Sequence, residues 1–220
     1  MIKLVLFDFD GTLVDTANDI VLSVHQLLEY RNYPTLSKEE IISNIGEGFI
    51  GLLRDQFPEM ESDLQFFNQL QDDFYSFYDK NLLNNPVLFP GVKNFLSQWP
   101  HKIGILSNKT EKHIPLVMEK LDLLNHPWET IIGGDSYEQK KPHPMPMEKA
   151  LSIANVSPSE TLLVGDGIPD VGVALASGVH FVGVDFGYSS KEVLQNHGAK
   201  EFISHHDELS AHIDKINATC

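Results

Sequence analysis

Apolar and polar positions along this chain follow two different periods. Ile2 to Phe7 is a near-continuous apolar run closed by Asp8-Phe9-Asp10-Gly11, the pattern of a strand buried on both faces and ending in a turn. Comparable runs stand at Ile103–Leu106, Thr130–Ile132, Thr161–Val164 and Phe181–Val184. Between them Ile114, Val117, Met118 and Leu121, and later Met147, Ala150, Leu151 and Ala154, recur at helical spacing. Strands alternating with helices predict an α/β fold, a Rossmann-like doubly wound parallel sheet whose ligands gather at the carboxyl ends of the strands.

One stretch breaks the alternation. From about Thr16 to Asn85 no strand pattern occurs, while Ile20, Val21, Val24, Leu27 and Leu28 form one helical stripe and Leu64, Phe67, Leu70, Phe74 and Tyr78 another. The expected organisation is an α/β core from residues 1–15 and 86–220 with an inserted all-helical domain at 16–85. Asp15-Thr16 leads into the insertion, and Asn84-Asn85-Pro86 with Pro90-Gly91 marks the return. Phe66, Phe67, Phe74, Tyr75, Phe77 and Tyr78 are expected in the core of this small bundle rather than on a ligand-stacking surface.

Composition narrows the function. The formal charge is −15, of which −8 falls in residues 16–85, the wrong sign for a broad nucleic-acid-binding face. A single cysteine, Cys220, excludes an internal disulfide framework and a thiolate-rich zinc site. The N-terminal apolar run meets acid too early for a signal peptide, and no run reaches the ~18 apolar residues of a membrane span. The expectation is a soluble, cytoplasmic protein without nucleic-acid or membrane partners, as monomer or homodimer.

Chemistry-bearing residues cluster at the predicted strand ends. Asp8 and Asp10 close the first strand, Ser107-Asn108-Lys109 the second, and Gly165-Asp166-Gly167-Ile168-Pro169-Asp170 the fourth; Lys140-Lys141-Pro142-His143-Pro144 follows the third. An isolated Asp-Gly motif is often just a surface turn. In a parallel sheet, however, these four ends converge on one crevice.

This constellation resembles the haloacid dehalogenase superfamily, whose phosphatases carry D-x-D-x-T, a Ser or Thr, a Lys and G-D-x-x-x-D in this order, with a helical cap inserted after the first motif. Ile131-Ile132-Gly133-Gly134-Asp135-Ser136, Lys140 to Pro144 and the Gly11 to Thr16 opening look most like phosphoglycolate phosphatases. The resemblance implies a Mg²⁺-dependent phosphatase of small phosphorylated metabolites, with 2-phosphoglycolate leading. Asp8 would form an aspartyl-phosphate, and Asp10 would protonate the leaving group and then activate water. Asp8, the backbone carbonyl of Asp10, and Asp166 would hold the metal; Asp170 would orient Lys141 or a metal-bound water, or ligate directly. Thr12 would orient Asp10. Ser107 and Asn108 would meet phosphoryl oxygens, and Lys141, the lysine preceding proline, would pair with the phosphoryl group and Asp8, leaving Lys140 solvated.

Other positions carry weaker expectations. Asp15 is expected to cap the first inserted helix and His143 to be exposed. Lys109 stands either near the phosphate entrance or on a plain helix start. Gly46 and Gly48, in Asn44-Ile45-Gly46-Glu47-Gly48-Phe49, would bring backbone amides to the substrate, ahead of Arg54. A phosphomutase of the β-phosphoglucomutase type, a pyrophosphatase or nucleotidase of the same superfamily, and a non-catalytic phosphate-binding module are the alternatives.

Overall fold

The computed structural model describes residues 1–219; Cys220 lies outside the described residues. The chain runs β1 (Leu4–Phe7), β2 (Val14–Asp15), α1 (Ala17–Arg31), α2 (Lys38–Ser43), α3 (Gly48–Leu53), α4 (Leu64–Asn81) and β3 (Val87–Leu88). It continues through α5 (Val92–Gln98), β4 (Lys102–Leu106), α6 (His113–Lys120), β5 (Trp128–Ile132), α7 (Met145–Ala154) and β6 (Thr161–Gly165). The last elements are α8 (Ile168–Ser177), β7 (His180–Val184), α9 (Lys191–Asn196), β8 (Phe202–Ile203) and α10 (Leu209–Thr219).

Six strands form one parallel sheet in the order β5-β4-β1-β6-β7-β8. β1 and β6 are buried along their whole length, as continuous apolar runs require when helices cover both faces. Chain order reverses across β1, which lies between β4 and β6, and such a reversal opens a crevice beyond the carboxyl ends. The five predicted strands lie where the apolar runs stand. The two-residue strands β2, β3 and β8 were not legible, because two residues cannot display a period.

Helices α1 to α4 lie between β2 and β3, which pair antiparallel as a short ribbon at the base of the insertion. Asp19, buried in the first turn of α1, accepts from the backbone N–H and the side-chain amide of Asn85 at 3.0 and 3.2 Å, joining the start of the insertion to its return. α4 begins where the Asp63 carboxylate accepts from Phe66 N–H, and it buries Leu70, Phe74 and Tyr78 at successive i, i+4 positions against α1. One apolar core runs from the sheet into the insertion, including Phe7, Phe9, Leu27, Leu28, Ile41, Leu53 and Leu70. No helix among the described residues is long and apolar enough to cross a membrane.

Candidate active site

Register places the chemistry. Phe7 of β1 stands beside Ile105 of β4 and Val164 of β6, so Asp8, Ser107 and Asp166 emerge side by side one or two residues later. The ladder extends past the strands, with Asp8 N–H donating to Val164 O and Ser107 N–H to Ile132 O, both at 2.9 Å. Asp8, Lys141, Asp166 and Asp170 are between 1% and 3% exposed, a set of charges that can stay buried only by satisfying one another.

Lys141 is the hub. Its ammonium lies 2.9 Å from Asp8 Oδ1 and 2.6 Å from Asp170 Oδ1. Burial alone would pull its pKa down, but the Asp170 and Asp8 carboxylates hold it above the usual lysine value. Asp170 also accepts from Gly167 N–H through Oδ2, fixing the start of α8, where Pro169 sits in the first turn as the sequence leads one to expect. Burial, with the Asp8 charge behind it, raises Asp170 to about 7 despite the Lys141 pair. Asp8 Oδ1 additionally accepts from Phe9 N–H at 2.7 Å; no described hydrogen bond engages Oδ2.

Asp166 accepts from Thr12 Oγ1 and from Tyr188 N–H, each at 2.8 Å. Burial and the neighbouring Asp8 and Asp170 hold it well above the usual carboxylate range. Gly11 has φ +83°, and a Cβ there would stand 2.2 Å from Asp166 Oδ2, so only glycine permits this close approach. One oxygen from each of Asp8, Asp166 and Asp170 lies within 4.8 Å of the others. Three buried carboxylates share a single ammonium, and that deficit of positive charge in an all-oxygen donor set fits a hard divalent cation.

Asp10 faces elsewhere. Its Oδ1 accepts from Thr16 Oγ1 at 2.6 Å, and Lys109 Nζ stands 3.0 and 3.2 Å from its two oxygens. Thr12, expected to orient Asp10, instead holds Asp166; the turn at Gly11 sends residue 12 toward β6, and Thr16, four residues on, takes Asp10. Lys109 is neither a plain helix start nor solvated. It is 9% exposed, donates to the Tyr78 hydroxyl and lies over the Tyr78 ring at 4.9 Å. Burial lowers its pKa, but Asp10 and Tyr78 outweigh that and leave it raised.

The loop ahead of α3 meets the core through carbonyls rather than amides. Asn108 Nδ2 donates to Gly46 O at 2.9 Å and to Lys141 O at 3.0 Å, so this side chain joins the loop to the lysine hub. Lys140, expected in solvent, is half-buried and donates to Glu47 O at 2.6 Å, because the loop descends onto it. Gly48 has φ +72°, and a Cβ there would come within 2.7 Å of Lys140 Nζ. Arg54 is exposed, as is His143; Asp15 accepts from Ala17 N–H at 3.1 Å, near the start of α1, and from Tyr188 Oη.

Between core and insertion lies a cavity of about 70 Å³. Asp8, Asp10, Ser107, Asn108 and Lys109 line its floor, and Ile20, Ile45, Phe49, Leu52, Phe74 and Tyr75 wall it, with Gly46, Gly48 and Tyr78 at the seam. Three of the six aromatics expected in a bundle core therefore face this space. Thr16, Tyr78 and Tyr188 were missed: Tyr188 follows Asp166 by 22 residues without a motif, and Tyr78 is indistinguishable by spacing from its buried neighbours.

Residues 5–184 match the haloacid dehalogenase-like hydrolase family. Phosphoglycolate phosphatase of Chromobacterium violaceum is 30% identical over 201 residues, covering 88% of this chain and 89% of the relative. That of Vibrio parahaemolyticus is 31% identical over 205 residues, covering 88% of each. The crystal structure of a haloacid dehalogenase-like hydrolase from Bacteroides fragilis superposes with a TM-score of 0.88 at 26% identity, covering 95% of this chain and all of that one. With carboxylates, a lysine and a serine gathered beyond the carboxyl ends of its parallel strands, and with these relatives, the chain belongs to the haloacid dehalogenase-like hydrolases and is a phosphatase of that family.

Proposed function

We propose that the chain hydrolyses small phosphate monoesters, 2-phosphoglycolate foremost, through a phosphoryl-Asp8 intermediate, with residues 16–85 acting as a cap. The observation that carries this reading is the buried Asp8–Lys141–Asp170 chain beside Asp166, with Asp8 on the floor of the cavity between core and insertion. The cavity brings Asp8, Asp10 and Ser107 together beneath apolar side chains of the insertion, a setting for a small phosphate ester. The names of the relatives favour 2-phosphoglycolate among esters of that size.

Asp8 Oδ2 attacks phosphorus as the bond to the leaving oxygen breaks, and Asp10 gives that oxygen its proton. Asp10, now a carboxylate, takes a proton from water as the water attacks the phosphoryl-aspartate; inorganic phosphate leaves, Asp8 is freed and Asp10 again carries the proton. Lys141 and Ser107 steady the phosphoryl oxygens, and Asp170 holds Lys141 in place. Asp8, Asp166, the Asp10 carbonyl and, at the edge of the cluster, Asp170 would hold Mg²⁺, which when bound offsets the repulsion between phosphate dianion and carboxylates. The expected result is phosphate release that requires added Mg²⁺, is lost with a chelator and is highest for 2-phosphoglycolate in a panel with pyrophosphate, nucleotides and hexose phosphates. A flat profile would overturn the substrate, and metal-independent turnover the cofactor.

A further inference from the structure

Tyr78 lies in the last turn of an inserted helix, yet its hydroxyl is bonded to a core lysine that grips both oxygens of Asp10. We infer that Tyr78 is a positioning residue that aims Asp10 through Lys109, so that the final helix of the insertion sets the direction of the leaving-group acid. The inference rests on the acid role of Asp10 proposed above.

The Asp10 carboxylate has two described side-chain partners. Thr16 holds Oδ1 at the start of the insertion, and Lys109 reaches both oxygens from the core. An ammonium has three N–H donors, and for Lys109 these go to Asp10 and to the hydroxyl of Tyr78, whose ring adds a cation–π contact at 4.9 Å. Tyr78 itself is held firmly. Its neighbour Asp79 meets His113 Nε2 at 2.6 Å and Lys112 Nζ at 3.4 Å, so two consecutive residues of α4 fasten to residues 109–113 of the core. Removing the Tyr78 hydroxyl leaves a buried N–H without an acceptor, and the side chain shifts to recover one. Asp10 shifts with it, because Lys109 bonds to both of its oxygens and losing those bonds leaves buried polar groups unpaired. A proton donor displaced by a fraction of an ångström loses much of its effect.

Leaving groups distinguish this role from simple packing. An alkyl phosphate expels an alkoxide that needs the Asp10 proton, whereas p-nitrophenyl phosphate expels a stable phenolate that does not. The comparison uses kcat/KM, which covers every step through departure of the leaving group. In Tyr78→Phe, kcat/KM for the best alkyl phosphate of the wild-type panel should fall about tenfold or more, with a far smaller fall for p-nitrophenyl phosphate. Lys109→Met should show the same skew more strongly, Lys109→Arg should restore part of it, and Tyr78→Phe should add nothing in the Lys109→Met background. An equal fall on both substrates, or an undiminished alkyl rate, overturns the inference. Failure of the underlying reading is visible separately, as an alkyl-phosphate rate that survives Asp10→Asn.

Discussion

The α/β core and the helical insertion build opposite halves of one site by different means. The core contributes charge: Asp8, Asp166, Asp170 and Lys141 are nearly inaccessible, the lysine fixing Asp8 and Asp170 while Thr12 and Tyr188 N–H fix Asp166. The insertion contributes shape: Ile20, Ile45, Phe49, Leu52, Phe74 and Tyr75 wall the cavity, while its polar links to the core, among them the Gly46 and Glu47 carbonyls, the Tyr78 hydroxyl, Thr16 and Asp79, run around that wall. Charges need rigid placement, since a small displacement in a dry crevice leaves a group unpaired. An apolar wall tolerates variation, because each methylene is worth only ~1–3 kcal/mol of discrimination. Chemistry should therefore be brittle in the core, and selectivity adjustable in the insertion.

The largest effect expected is in the core. Asp8→Asn should lower turnover roughly a thousandfold or more on every phosphate ester alike, the scale on which loss of a nucleophile acts, read as phosphate release. A loss confined to some substrates would break the division between charge and shape. In the insertion, Phe49→Ala should instead change preference. Phe49 lies against Phe67, Phe74 and Tyr75 with ring centroids 5.5–6.0 Å apart, and its removal opens the wall toward larger esters. The ratio of kcat/KM for a hexose phosphate to that for 2-phosphoglycolate should rise about tenfold, with the metal requirement unchanged.

Acid should act on the core through a buried histidine. His206 is fully buried beside Phe7 and Phe186, donates from Nδ1 to Pro90 O, and burial lowers its pKa to about 4. Because its folded pKa lies below the unfolded value of about 6.5, the unfolded chain binds more protons between the two, and stability rises with pH across that window. His206 should thus contribute up to about 3 kcal/mol at pH 7 that is lost as the pH falls from 6.5 to 4. In denaturant titrations, wild type minus His206→Gln should shrink by that amount over the window; a constant difference would refute it. The smallest effect belongs to Gly48→Ala. It strains a residue at φ +72° and pushes on Lys140, so it should cost about 1–2 kcal/mol in stability and raise KM about threefold while kcat holds.

Legibility divides along the same line. Each charged residue of the core stands within two residues of a buried strand or within one short motif, so strand recognition nearly suffices to bring Asp8, Ser107 and Asp166 together. Hydrogen-bond partners were less accessible. Thr12 and Thr16 flank the same turn, and only the path of the backbone through Gly11 decides that the first meets Asp166 and the second Asp10. Lys140 and Lys141 are neighbours in sequence, yet one meets a loop carbonyl and the other two carboxylates.

By itself the sequence determined the parallel sheet, the helical insertion and the identity of the carboxylates and lysine at the strand ends, since local period and short motifs encode them. Only the tertiary structure decided which side chains steer them. Tyr78 reads as one more buried aromatic until α4 is laid against residues 109–113, and Tyr188 as a loop residue until its N–H reaches Asp166. Such contacts join residues tens of positions apart, and their geometry is set by how the elements pack, which no local pattern records.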